Sequence, residues 1–280
     1  MGKRSAKKKR FKKILEDIKT LKIQGAENIA KKALYAYSLF PTKRSKRKLL
    51  SLRPTEPLLQ NVLSLVDKVP TKKILSHFKD SQQKINQLTL KLIKNGDVIF
   101  THCHSSTVVH ALIYAKQKGK KFEVYNTETR PLFQGRKTAI ELKKAGIKVT
   151  HFADAAVGVA LSKEQSTKKV TKVFLGADAI LRSGVINKIG SEVIAILAKK
   201  QGIPVYVLAD SWKFSSKLLK MEQRGYKEIW KRIPKIFGIK VKNPAFEFVP
   251  KKYITALVTE LGILDYSSFL RKKLKESQKV

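Results

Sequence analysis

The sequence predicts an α/β protein: an N-terminal all-α domain followed by a Rossmann-like parallel sheet domain. Three observations carry that reading. Up to about residue 95 apolar residues recur at three and four, the helical period. After Gly96 short apolar runs replace them, starting roughly 25 to 32 residues apart, the length of a strand–helix–strand unit. Each run also ends in polar or titratable residues.

Taken in order, residues 3–13 (KRSAKKKRFKK) hold eight Lys and Arg and no Asp or Glu. With so little apolar surface they are expected to form a mobile basic arm, residues 1–13 in all. The recurrence over 14–40 predicts helix as far as Pro41, and KRSKRK at 43–48 reads as a basic loop. PTEPLLQNVLSLVDKV (54–69), with proline in its first turn, and KKILSHFKDSQQKINQLTLKLIKNG (72–96), closed by Asn-Gly, predict further helices. The helical domain is therefore placed at 14–95 and the α/β domain at 96–280.

In that second domain the strand runs are DVIFTHC (97–103), FEVYNTE (122–128), KVTHFAD (148–154), KVFLGAD (172–178) and PVYVLAD (204–210), with a sixth within YITALVTELGI from 253. Helices are expected at 106–118, 135–145, shortly after 154, and 190–201. Continuous apolar strands with amphipathic helices between them require a sheet covered on both faces.

Composition narrows the class. A chain of 280 residues with 42% hydrophobic content can bury a large core. No apolar run approaches the roughly 20 residues of a membrane span, and no secretory signal follows the basic start. The single cysteine excludes an internal disulfide and a thiolate-cluster metal site, which points to the cytoplasm. Sixty Lys and Arg against 21 Asp and Glu give a net charge of +39, a field that attracts polyanions and phosphorylated metabolites. Contact with RNA or the ribosome through the basic arm is expected to be nonspecific, since no base-stacking platform accompanies it.

The stretch THCHSST (101–107) holds that cysteine, Cys103, between His102 and His104. A lone cysteine can be inert packing or a reactive group. In parallel sheets ligands sit beyond the carboxyl ends of the strands, where Cys103, TETRP, ADAA, Asp178 and ADSWKF converge. That placement favours the reactive reading. The two histidines flank Cys103 with no carboxylates at metal-like spacing, so neither a metal nor an organic cofactor is expected. Ser105 and Ser106 open a helix, and either hold a phosphate or simply cap it.

The stretches LRPTEPLLQNVL, GDVIFTHCHSSTV, YNTETRPLFQGRKTAIELKKAGI and FLGADAILRSGVINKIGS resemble the family of the alpha, beta and delta subunits of translation initiation factor 2B. That family includes ribose-1,5-bisphosphate isomerase and methylthioribose-1-phosphate isomerase. The resemblance runs from LKIQGAENIA to YITALVTELGI. It implies catalysis by Cys103, exchanging the proton at sugar C2, and Asp178, acting as acid on the ring oxygen. A 1-phosphorylated ribose lacks a free aldehyde, so its ring must open before C2 can be deprotonated. Burial is expected to raise Asp178, and neighbouring cations to favour the Cys103 thiolate.

The resemblance also implies substrate contacts from Gln24, Gly25, Ala26, Arg53, Ser105, Ser106, Arg130, Gln134, Asn187 and Lys188. One position departs from the isomerases: Gln24 stands in IQGA where they usually carry an arginine, and it brings no charge. The implied activity is aldose–ketose isomerisation, most simply of ribose 1,5-bisphosphate to ribulose 1,5-bisphosphate. The alternative is a noncatalytic regulatory subunit that binds a nucleotide or sugar-phosphate effector. Either way a homodimer or larger homo-oligomer without membrane attachment is expected.

Overall fold

The computed structural model describes residues 2–53, 56–217, 221–232 and 238–277. Five helices come first: α1 (Gly2–Lys19), α2 (Ala26–Leu39), α3 (Lys43–Leu52), α4 (Pro57–Leu65) and α5 (Thr71–Leu92). Pro57 occupies the first turn of α4, and Pro54 lies outside the described residues. The helical recurrence over 14–40 is interrupted between α1 and α2, where Leu21 and Gly25 take φ of 61° and 84°. A left-handed residue after Lys19 ends α1, and Gly25, the N-cap of α2, takes its positive φ without a side chain to strain.

Two basic stretches differ from expectation. KRSKRK is the start of α3 rather than a loop. Thr42 caps it by accepting from the Ser45 N–H at 3.1 Å, and Ser45 and Leu49 are buried while the charges face out. The basic N-terminus is likewise helical through residue 13, and Phe11 packs with Leu49 and Ile18 in the domain core.

The α/β domain follows as β1 (Val98–Thr101), α6 (Ser106–Gln117), β2 (Glu123–Thr127), α7 (Gln134–Lys144), β3 (Lys148–Phe152), α8 (Val157–Ser162) and β4 (Lys172–Leu175). Then come β5 (Ala179–Ile180), β6 (Gly184–Lys188), α9 (Ser191–Lys200), β7 (Val205–Leu208), β8 (Phe246–Pro250), β9 (Ala256–Thr259), β10 (Gly262–Leu264) and α10 (Tyr266–Ser277). Seven strands make one sheet in the order β10-β9-β7-β4-β1-β2-β3. It is parallel except for β10, which turns back antiparallel on β9. In β1, Val98 and Phe100 enter the core cluster on one face and Ile99 that on the other. Both faces are therefore covered, as the continuous apolar strands require.

A second, three-stranded antiparallel sheet, β5-β6-β8, lies beside the first. The sequence reading did not foresee it. Its strands are short, and β6 joins β8 across more than fifty residues of chain. Gly184 permits their approach, because a Cβ there would stand 2.2 Å from the Val249 carbonyl oxygen.

The two domains are stitched together behind the sheet edge. Asn61 donates to the carbonyls of Trp212 and Phe214 at 2.6 and 3.0 Å. His77 of α5 stacks on Trp212, ring centroids 3.6 Å apart, and bonds to Asp210.

Candidate active site

The helical domain and the loops that follow the parallel strands enclose a cavity of about 610 Å³. Cys103, two residues beyond β1, lines it in a left-handed conformation with φ 64°. A side chain is uncommon there, and hydrogen bonds on both sides hold it. Its N–H donates to Thr129 Oγ1 at 3.0 Å, and its carbonyl accepts from the Thr138 hydroxyl at 2.8 Å. Thr129 is fixed in turn by its N–H to Asp154 Oδ1 at 2.8 Å.

The flanking histidines are occupied elsewhere. His102 Nε2 donates to the Ile189 carbonyl at 2.8 Å and Nδ1 accepts from the Thr127 hydroxyl at 2.5 Å. Burial lowers its pKa and keeps the ring neutral. His104 Nδ1 bonds to Thr138 Oγ1 at 3.1 Å. Both rings therefore brace the backbone around Cys103.

Asp178 follows β4, the parallel neighbour of β1, and lines the same cavity. Burial raises its pKa above the usual carboxylate range, although Lys213, Lys188 and Arg53 pull the other way. This agrees with the expectation from sequence. Cys103 does not. Burial pushes its thiol up to about 11, and the opposing pull of Lys188 is too weak to restore a thiolate. Desolvation outweighs a single nearby ammonium, so the thiol rests protonated.

Asn187 and Lys188 reach the cavity from the end of β6. Asn187 donates to Ser191 Oγ at 2.9 Å, and the Lys188 ammonium lies 4.7 Å from the Phe246 ring centre. Gln24, Gly25 and Ala26 form part of the cavity wall at the start of α2, and Ser105 and Ser106 at the start of α6. Two helix N-termini therefore open onto one space, a setting that favours anions. Ser105 also caps α6, accepting from the Val108 N–H at 3.4 Å. Gln134 is brought in by the close docking of α7 on β2. A Cβ on Gly135 would lie 1.7 Å from the Thr127 oxygen, so glycine is required there.

Arg53 is buried at the end of α3 and also lines the cavity. Arg130 does not. Its side chain is exposed, with the guanidinium 5.1 Å from the Phe133 ring centre and its N–H bonded to Asp154 Oδ2 at 2.6 Å.

Among the charged cavity residues not predicted as site residues are Glu56, Lys213 and Arg224. Lys213 donates to the Ala177 carbonyl at 2.6 Å, beside Asp178. It sits just past β7 in ADSWKF, a segment the strand-end rule placed at the site without singling out the lysine. Glu56 is 4% exposed, and burial together with the Asp178 charge pushes its pKa up to about 7. Among the described residues Glu56 Oε2 and the Nε atoms of Arg53 and Arg224 have no hydrogen-bond partner. The wall beside the cavity is therefore incompletely paired at these atoms, although Arg224 Nε lies 3.4 Å from Glu222.

The profile of the "Initiation factor 2 subunit family" matches residues 43–266. A protein named "Ribose 1,5-bisphosphate isomerase" from Archaeoglobus fulgidus is 34% identical over 280 residues, covering 89% of this chain and 88% of that one. One of the same name from Methanocaldococcus jannaschii is 35% identical over 286 residues, covering 91% of each. Among solved structures, "translation initiation factor eIF-2B" of Pyrococcus horikoshii superposes with a TM-score of 0.79 at 28% identity, covering 91% of this chain and 97% of that one.

Proposed function

The chain belongs to the initiation factor 2 subunit family, and on that premise we propose that it is an aldose–ketose isomerase converting ribose 1,5-bisphosphate to ribulose 1,5-bisphosphate. The observation that carries the reading is the presence of Cys103 and Asp178, a carboxyl whose pKa burial raises, in one cavity, on the ends of adjacent strands. The reaction relocates two hydrogens, one from C2 to C1 and one from the C2 hydroxyl to the ring oxygen. Asp178 serves the oxygens. It gives its proton as the ring bond to C1 breaks, then recovers one from the C2 hydroxyl as the ketone forms. Cys103 serves the carbons: in the minor fraction whose thiol proton has passed to solvent, the sulfur takes the C2 proton as thiolate and returns it to C1. Ring opening leaves C1 electron-poor, which acidifies the C2 hydrogen and favours the ionised sulfur beside it. Lys188, Lys213 and Arg53, which line the cavity, offset the phosphate and enediolate charge.

The test is incubation of the purified protein with ribose 1,5-bisphosphate in deuterated water, followed by NMR. Ribulose 1,5-bisphosphate is the expected product, and any deuterium at its C1 reports exchange of the sulfur-held proton with solvent. Unchanged substrate at high protein concentration would remove the proposal.

A second reading, a noncatalytic subunit that senses a nucleotide or sugar phosphate, is favoured by the uncharged Gln24 at the cavity wall and by the protonated thiol. Saturable binding of ribose 1,5-bisphosphate without turnover would select it.

A further inference from the structure

We propose that the projecting start of α1 and the outer face of α3 together form a binding surface for a nucleic-acid duplex, read through its phosphates. The inference does not depend on the isomerase reading. Along α1 the inward stripe is Arg4, Lys7, Phe11, Ile14 and Ile18, at helical spacing. It is apolar and buried only from Phe11 onward; every residue from Arg4 to Arg10 is exposed. The first turns therefore extend past the domain they belong to. On α3, Arg44, Arg47 and Lys48 face solvent opposite the buried Ser45 and Leu49. The two helices pack on each other, and Phe11 and Leu49 share one core cluster. The two basic stretches thus lie on neighbouring, packed helices of the helical domain.

This surface works against its own helices. Arg4 with Lys8, Lys8 with Lys12, and Lys9 with Lys13 are like charges four residues apart, a destabilising arrangement. Neither helix has an acidic residue in its first turn, where the helix dipole favours one. Lys46 is paired with Asp67 at 2.5 Å. Among the described residues no carboxylate pairs with the Lys and Arg of 4–13 or with Arg44, Arg47 and Lys48. A partner that brings regularly spaced negative charge removes this repulsion.

The partner's chemistry follows from what the surface lacks. Residues 2–10 include no large apolar side chain, so α1 has no face to sink into a membrane. The exposed ring of Tyr35 is taken by Arg10, which bonds its hydroxyl at 2.8 Å, and Tyr37 bonds to Asp67, the partner of Lys46. Without rings for base stacking, single strands gain little. A duplex offers phosphates at fixed spacing and needs no base contact.

The test is fluorescence anisotropy of full-length protein on a 20-base-pair RNA duplex and its DNA counterpart across a salt series. Three triple variants are compared: K8E/K9E/K12E on α1, R44E/R47E/K48E on α3, and K143E/K144E/K200E on remote exposed lysines. With about six phosphates neutralised, wild-type affinity should fall about 10³-fold between 50 and 200 mM salt. Each of the first two variants should flatten the slope of log K against log salt by about 2 to 3 and bind at least ~10-fold more weakly at 100 mM. The remote variant should stay within about threefold of wild type. An equal loss in the remote variant would show that only the diffuse +39 field acts, and would overturn the assignment. So would unchanged binding by both helix variants, or retention on phosphatidylserine vesicles without duplex binding.

Discussion

Arg53 and Glu222 meet at 3.0 Å, joining the end of α3 to the segment before β8 across the cavity wall. The same guanidinium nitrogen stands 3.2 Å from Glu56. One cation thus serves two carboxylates, one of them almost wholly buried. Removing it in Arg53→Ala leaves Glu56 without its paired charge, and stability should fall by about 3 kcal/mol. Lysine should not restore it, because both terminal guanidinium nitrogens engage Glu222 as a planar fork, which a single ammonium cannot reproduce. Denaturant melts of the three proteins decide this.

Cys103→Ser and Asp178→Asn should each lower turnover of ribose 1,5-bisphosphate by about 10³-fold or more while leaving its binding within a few-fold. The double variant should be little worse than either single one, since each group is idle without the other. Single-turnover kinetics and a direct binding titration separate the two effects. Near-native turnover in Cys103→Ser would remove the cysteine from the chemistry.

The thiol raised to about 11 has a signature independent of activity. Alkylation of Cys103 by iodoacetamide should be slow at pH 7 and climb with pH to about 11, because only the thiolate reacts. Lys188→Ala removes the cation that lowers this pKa, and should slow labelling at every pH below the plateau. Labelling that saturates near pH 8 would contradict the burial argument.

Glu56 makes stability depend on pH. Its folded-state value, about 7, lies above the ordinary 4.5. Below pH 4.5 both folded and unfolded chains carry the proton, and burial has no electrostatic cost. As pH rises through 7 the unfolded chain ionises first, so folding loses about 3 kcal/mol over that window. In Glu56→Gln this portion of the pH dependence should vanish, as read from melting temperatures between pH 4 and pH 8. Parallel curves for the two proteins would show that the carboxyl is not raised.

On α9, Val193 and Ile196 are 46% and 39% exposed, while Ile194 and Ala195 face the core. We expect a second copy of the chain to cover them. Val193→Glu with Ile196→Glu should shift the protein from dimer to monomer in light scattering at micromolar concentration. A native protein that is already monomeric there would end the expectation.

The main sheet was legible because its strands are uninterrupted apolar runs whose period and spacing admit little else. The interruption at Leu21–Gly25 was less so, since Ile23 and Leu21 keep the helical recurrence going on paper while the backbone turns left-handed. The helix at Lys43–Leu52 was hidden by its charge; Thr42 and the buried pair Ser45 and Leu49 were the clues. The strands carrying Asn187 and Lys188 depend on pairing with Phe246–Pro250, a contact no local window contains. At the site, sequence motifs named residues but not their dielectric surroundings. For that reason the state of Asp178 could be anticipated and that of Cys103 could not.

The cavity is divided between two bodies that hold themselves together separately. Cys103, Asp178 and Lys188 stand on the sheet domain, whereas Gln24, Gly25, Ala26 and Arg53 belong to helices with hydrophobic clusters of their own. Substitutions in the helix-bearing wall can accordingly accumulate without disturbing the geometry around the sulfur and the carboxyl. A lineage built this way can exchange one ligand for another, or keep a ligand and give up turnover, by drift in a single wall.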